Sequence, residues 1–182
     1  MSGFIEWLED LNAKDTKVRA VLRRGLAFDL GTFAPAYPFV EPFVKEEDNS
    51  WRREMHYLVA GLWAAHWQEG MNEAPMLIGK ACAAFDNEKR KTMSADDRRK
   101  PSSTEKRFVT LLDADSDQLP NRLRQMIALL KEQAIDFDAL LRTLLDWNND
   151  RKRTQIAWAR DYYRNLIHGA HAERNNDKET SE

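Results

Sequence analysis

The chain has little of several features that usually reveal a protein's setting. It contains one cysteine, Cys82, so no disulfide can form within it, and this fits a reducing compartment. No stretch approaches the roughly 20 apolar residues that a membrane span needs, and the opening MSGFIEWLEDL lacks the basic and apolar regions of a signal peptide. These absences predict a cytoplasmic protein with no membrane partner.

Catalytic and cofactor motifs are also missing. The sequence has no glycine-rich phosphate loop, no Gly-x-Ser-x-Gly turn and no His-Glu-x-x-His helix. His168 and His171 have the spacing of a helical metal pair, but no Cys or further His joins them. Cys82 lies among alanines, where packing is favoured over a nucleophilic role. We therefore predict no catalytic residue, metal, cofactor or small-molecule substrate.

An overall excess of positive charge is absent as well. The net charge is -2, which argues against a protein that coats nucleic acid over its whole surface. Charge is nevertheless segregated locally. Between positions 14 and 24 the basic residues are Lys14, Lys17, Arg19, Arg23 and Arg24, and the acidic residue is Asp15.

Helical periodicity is what the sequence does contain. Apolar residues recur at the spacing of one helix face, and no window alternates convincingly with the period of a strand. The predicted helices cover residues 4–11, 16–25, 51–68, 75–85, 104–112, 117–130, 137–147 and 151–167. The stretch DNEKRKTMSADDRRKPSS has one large apolar side chain, Met93, and this composition is typical of a flexible tether.

The predicted fold class is therefore all-α, with two small helical-bundle lobes joined by a charged flexible linker. The expected boundaries are 1–85 for the first lobe, 86–103 for the linker, 104–170 for the second lobe and 171–182 for a disordered polar tail. Trp147 and Trp158 are expected to pack in the core, because large aromatic side chains usually anchor cores.

The last predicted helix, residues 151–167, carries a row of arginines. At about 100° per residue, Arg153, Arg160 and Arg164 fall within roughly 40° of one another. The adjacent stripe, expected to be buried, comprises Ile156, Ala159, Tyr163, Leu166 and Ile167. A row of guanidinium groups with fixed spacing suits a phosphate backbone, although a solvated helix edge is the plainer interpretation.

Several segments together resemble one known family. In the second half, KRFVTLLDADSDQLPNRLRQMIALL and DWNNDRKRTQIAWARDYY look like the signature run of the CasB family, the small subunit of type I-E CRISPR interference complexes known as Cascade. In the first half, the LRR triplet, APAYPFVEPF and PMLIGKACAAF are similar to other family segments. The resemblance covers roughly residues 4 to 167.

The resemblance implies an all-helical, two-lobed and non-enzymatic subunit for antiviral defence. Its implied partners are the backbone and large subunits of the complex, a second copy of itself, guide RNA and target DNA, especially the displaced single strand. Basic faces would bind the nucleic-acid backbone without reading sequence and so stabilise the R-loop. The candidate contacts, including the arginine row, are Arg23, Arg24, Arg52, Arg53, Arg107, Arg122, Arg124, Arg151, Lys152, Arg153, Arg160 and Arg164.

Two alternatives remain open on the sequence alone. One is a helical adaptor whose basic faces bind acidic proteins and which has no direct contact with nucleic acid. The other is a small helical enzyme whose active site is too scattered in sequence to recognise.

Overall fold

The structure is a computed structural model, and it describes residues 3–46, 48–68 and 73–167. These residues confirm the all-α prediction. The helices are α1 (Phe4–Lys14), α2 (Lys17–Gly25), α3 (Tyr37–Val40), α4 (Ser50–His66), α5 (Ile78–Arg90), α6 (Ala95–Arg98), α7 (Ser103–Leu112), α8 (Leu119–Leu129), α9 (Phe137–Leu145) and α10 (Arg153–Asn165). Two short 3-10 turns flank α3.

Helix α4 is the central element of the first half. The Asn49 side chain caps its N-terminus by accepting a hydrogen bond from the Arg52 backbone N–H at 2.9 Å. From Met55 to Ala64 every residue is buried, so this helix is covered on all sides. It packs against α1, α2, α3, α8 and α9, which places it between the two halves of the chain.

A second group of helices is formed by α5 with α7 and α10 of the second half. Helix α5 lies directly against α10, and Gly79 permits that approach because a Cβ there would meet the Trp158 carbonyl oxygen. The Phe108 ring of α7 stacks on the Tyr162 ring of α10, with 4.6 Å between their centroids. Trp147 and Trp158 are buried with their rings 5.1 Å apart, which confirms their predicted packing role.

One buried carboxylate joins these three helices. Asp86 of α5 is fully buried and accepts hydrogen bonds from Tyr162 Oη at 2.7 Å and Arg90 Nε at 3.0 Å. Arg90 also lies 3.2 Å from Glu105 of α7. Because the cost of burying a charge is offset by such partners, this network fixes how α5, α7 and α10 sit together.

The predicted flexible linker is therefore wrong for its first five residues. Residues 86–90 complete α5, and α6 occupies Ala95–Arg98. Counting apolar residues missed this packing, because Asp86 is buried through hydrogen bonds rather than through apolar surface. The boundary expected after residue 85 falls inside α5. The division into two lobes stays a prediction, and the buried apolar residues of both halves form one cluster.

The buried face of α10 also differs from the prediction. Its buried residues are Thr154, Gln155, Trp158 and Tyr162, while Ile156, Tyr163 and Ile167 are exposed. The two large aromatic rings bury more surface than the aliphatic stripe would. Thr154 and Gln155 donate to the carbonyl oxygens of Thr143 and Trp147. Of the expected stripe, only Leu166 is buried.

Helix α10 begins at Arg153 rather than at residue 151. Lys152 precedes it with a left-handed backbone, φ 51°. The expected polar tail, 171–182, and both histidines of the possible metal pair lie outside the described residues. Among the described residues, no helix is long and apolar enough to cross a membrane.

The close approach of α5 and α10 predicts the effect of one methyl group. Gly79→Ala should destabilise the protein by about 1–3 kcal/mol, because its Cβ meets backbone that cannot rotate away. Urea unfolding measures the change. Gly25→Ala is the matched control, since a Cβ there has its nearest neighbour at 3.5 Å. Equal unfolding midpoints for the two variants would contradict this packing.

Candidate nucleic-acid interface

A basic cleft lies between α7 and α8, and we call it the α7–α8 cleft. It has a volume of about 150 Å³, and its cationic residues are Lys106, Arg107 and Arg122. Thr110, Gln125 and Met126 complete its lining. Arg122 is held in place because its Nη1 donates to the Thr110 carbonyl oxygen. Three cations around a small concave surface suit a single phosphate group.

A second basic concavity lies on the other side of α8, and we call it the α2–α8 groove. It has a volume of about 460 Å³ and is bordered by Arg23 of α2, Arg124 of α8 and Lys131, which follows α8. Its floor is aliphatic, with Leu26, Leu62 and Ile127 among its residues. The groove therefore combines a positive rim with an apolar base.

Arg124 is the least satisfied cation of this groove. Its Nε is buried without a hydrogen-bond partner among the described residues. Burial lowers the pKa of its guanidinium group below the usual value. A buried donor without an acceptor is unfavourable, so an anionic ligand in the groove would relieve it.

Helix geometry explains why α8 supplies both sites. Arg122 and Arg124 are two residues apart, which separates their directions by about 200° around the helix. Leu123, Met126 and Ile127 are buried and hold the helix against the core. The two arginines consequently leave α8 on opposite edges, one toward α7 and the other toward α2 and α4.

An acidic pocket limits the basic surface. His66 lines both the α2–α8 groove and a neighbouring cavity of about 370 Å³. The acidic residues lining that cavity are Glu6, Glu9, Glu73, Asp136 and Asp138. Burial, together with Asp138, Asp10 and Glu6, raises the pKa of Glu9. Such a concentration of carboxylates repels phosphate, so the surface that could accept an anion lies on the α8 side of His66.

Two of the predicted contacts are already engaged within the protein. Arg52 lies 2.7 Å from Asp48, and Arg53 Nε donates to Glu41 at 2.9 Å. The guanidinium carbon of Arg53 also lies 5.2 Å from the centroid of the Tyr57 ring. These arginines hold the segment before α4 in place, and their charge is largely neutralised there.

The remaining predicted contacts lie outside both basic concavities. Arg24 is exposed, with its guanidinium carbon 5.9 Å from the centroid of the Phe33 ring. Arg151 and Lys152 are exposed before α10, and Arg153 lies 3.4 Å from Asp146. Arg160 and Arg164 are exposed on the side of α10 that faces away from the core. The structure thus brings Arg107 and Arg122 together at one site, and Arg23 and Arg124 at another.

Sequence reasoning missed two cations that complete these sites, Lys106 and Lys131. Lys106 directly precedes Arg107, but only the arginine matches the family pattern. Lys131 lies two residues beyond the end of α8, so helix spacing gave no signal for it, and only the fold brings it to the groove.

The described residues offer little for catalysis. None of their histidine, cysteine, aspartate and glutamate side chains forms a group of three or more that could hold a metal. Cys82 is buried, and burial together with Asp86 raises the pKa of its thiol. A thiol that resists ionisation is a poor nucleophile.

Comparison with known proteins gives a consistent result. Residues 18–163 match the model of the family described as CRISPR-associated protein Cse2. The chain is 41% identical over 165 residues to the CRISPR-associated protein Cse2 of Thermus thermophilus, covering 88% of each.

Solved structures share the fold. The crystal structure of CasB from M. ruber matches with a TM-score of 0.72 and 32% identity, over 94% of each chain. A chain of a CRISPR RNA-guided surveillance complex matches with a TM-score of 0.73 over 95% of each chain, and its 22% identity supports a common fold alone.

The Arg53–Glu41 pair makes stability depend on pH. Burial raises the pKa of Glu41, but hydrogen bonds from Tyr57 and Arg53 outweigh it and lower the pKa below its usual value. The pair therefore stabilises the fold above the pKa of the unfolded chain, and this contribution is lost as pH falls through the lower folded pKa. Because both side chains are about one-third exposed, solvent screening keeps the effect modest.

We expect Glu41→Gln to remove part of the stability that the protein loses between neutral and acidic pH. Urea unfolding across that range measures it, with exposed Glu132→Gln as the control. If both variants follow the wild-type pH profile, Arg53 is not held by Glu41 and is free to meet a phosphate.

Proposed function

The chain belongs to the Cse2 family, the CasB small subunits of type I-E Cascade surveillance complexes, and on that premise we propose that it holds nucleic-acid backbone in the two concavities beside α8. The observation that carries this proposal is the convergence of six cations. Lys106, Arg107 and Arg122 line the α7–α8 cleft, and Arg23, Arg124 and Lys131 line the α2–α8 groove. A strand passing over the exposed ridge of α8 meets positive charge on both sides.

The lining residues favour backbone contact over base recognition. Neither concavity contains a Phe, Tyr or Trp side chain that could stack on a base. Arginine and lysine bind phosphates of any sequence, so affinity comes from the protein while specificity comes from guide pairing. This suits a subunit that must accept whatever target the guide selects.

The proposed ligands are the nucleic acids of the R-loop. The displaced non-target strand lacks a pairing partner and exposes its phosphates, and the guide RNA–DNA hybrid carries a backbone of its own. Retaining them in the α8 concavities would oppose collapse of the R-loop. One chain that shares this fold comes from a complex described as a CRISPR RNA-guided surveillance complex. That setting supports nucleic acids of the R-loop as the ligands.

The proposed protein partners are the backbone and large subunits of the complex and a second copy of this chain. We propose a non-catalytic role, because the family is one of complex subunits and the described residues converge on cations rather than on acid–base pairs. The expected cytoplasmic location remains part of this proposal.

Charge reversal in the α7–α8 cleft tests the proposal. In the assembled complex with target DNA, Lys106→Glu with Arg107→Glu should weaken DNA retention and flatten its salt dependence. The slope should fall by up to about 0.7 logarithmic units for each lost single-strand phosphate contact. Retention measured over a series of salt concentrations gives this slope.

The matched control is Lys91→Glu with Lys100→Glu, which makes the same change in charge at exposed lysines outside the cleft. Each of these lysines already lies near a carboxylate, Glu88 or Asp97. The cleft assignment is wrong if both double variants change the slope equally, or if neither changes it.

A further inference from the structure

Exposed apolar side chains are concentrated on one face of α10 and just beyond its C-terminal end, and we call this surface the α10 crest. Six large hydrophobic side chains are exposed in the described residues, and three of them are Ile156, Tyr163 and Ile167. Their exposed fractions are 46%, 40% and 64%. Arg160 and Arg164 stand beside them on the helix. This face is therefore both apolar and positively charged.

Helix α7 extends the crest with a fourth exposed apolar residue, Val109, which is 46% exposed. Tyr163 donates a hydrogen bond to Glu105 at 3.2 Å, and Phe108 stacks on Tyr162. Further along, Trp147 packs on Trp158 and donates to the Ala114 carbonyl oxygen. The two helices therefore run in opposite directions, and Val109 lies one helical turn beyond Glu105, whose side chain contacts α10.

A phosphate backbone is a poor match for this face. Aliphatic side chains gain nothing from contact with phosphate, whereas covering them with apolar surface contributes about 25 cal/mol per Å². Contiguous exposed apolar residues with a polar rim are typical of protein–protein contacts. The crest also lies outside both basic concavities.

The charges on the crest restrict the partner. Neither Arg160 nor Arg164 pairs with a carboxylate within the part of the chain that the structure describes. A complementary partner surface would carry an apolar strip of its own, with carboxylates at its edge that pair with the two guanidinium groups. Arginine is also among the residues enriched in protein interfaces.

We propose that the α10 crest docks against another protein subunit, through an apolar surface rimmed by acidic residues. This assigns Arg160 and Arg164 to a protein contact rather than to the nucleic-acid path. The inference rests on the proposed function, because the partner is sought among the other subunits of the same effector complex.

Two other occupants fit less well. The residues after Ile167, HGAHAERNNDKETSE, contain no large apolar side chain that could cover the crest. A second copy docking symmetrically would bring two sets of Arg160 and Arg164 together, and like charges oppose each other. Neither the C-terminal residues nor a symmetrically docked second copy supplies both the apolar surface and the negative charge.

The test uses the assembled complex. The chain is co-expressed with the backbone and large subunits of a type I-E complex and a guide RNA, and is followed by native mass spectrometry over a dilution series. Ile156→Gln with Ile167→Gln should weaken its retention about tenfold or more, since central interface side chains commonly contribute above 1 kcal/mol. Arg160→Gln with Arg164→Gln should also weaken retention.

The control is Phe28→Gln, an apolar residue of similar exposure, 45%, that lies after α2. Urea unfolding of each isolated variant shows whether it folds. If the Ile156→Gln, Ile167→Gln variant is unfolded, the Arg160→Gln, Arg164→Gln variant alone tests the docking surface. Dissociation of both crest variants while the control stays bound would support the docking surface.

Three results would overturn it. Crest variants retained like the control would remove the docking surface and leave the proposed function intact. Loss of a single copy of this chain would assign the crest to a second copy. If the crest variants stay in the complex but DNA retention depends less steeply on salt, Arg160 and Arg164 belong to the nucleic-acid path. Failure of the wild-type chain to join the complex would instead contradict the proposed function itself.

Discussion

The buried carboxylate of Asp86 is the contact on which both proposed surfaces depend. It accepts hydrogen bonds from Tyr162 on α10 and Arg90 on its own helix, and Arg90 also forms an ion pair with Glu105 on α7. A buried charge that loses one partner is strongly destabilising, so these three helices have one favourable arrangement. That arrangement fixes which edge of α7 faces α8 and which edge faces α10. The basic cleft and the apolar crest are therefore consequences of the same internal network.

Helix α7 separates the two proposed binding surfaces. Its buried face holds Phe108 and Leu111 in the core, Lys106 and Arg107 line the cleft with α8, and Glu105 contacts Tyr163 of α10. Under the two proposals, such a division would let one small subunit hold nucleic acid on one side while protein holds it on the other. Its near-neutral net charge agrees with this division, because positive charge is confined to particular helix edges and the pocket beyond His66 is acidic.

Periodicity predicted most of the helices, because that signal is local. The positions of α4, α7 and α9 and the packing of Trp147 and Trp158 follow from the sequence in this way. The buried part of the predicted linker did not, since Asp86 depends on partners far along the chain. The face of α10 was misjudged because Thr154 and Gln155 are buried through hydrogen bonds to distant carbonyl oxygens. For the site, matching to the family pattern found Arg107 and Arg122, but only the fold shows that they share a cleft.

The most direct test of the two-surface account is site-specific photo-crosslinking in the assembled complex with bound target. A photo-reactive amino acid would replace Lys106 in the cleft or Ile156 on the crest, one at a time. The account predicts crosslinks to nucleic acid from position 106 and crosslinks to another protein subunit from position 156. Protein crosslinks from the cleft, or nucleic-acid crosslinks from the crest, would contradict it.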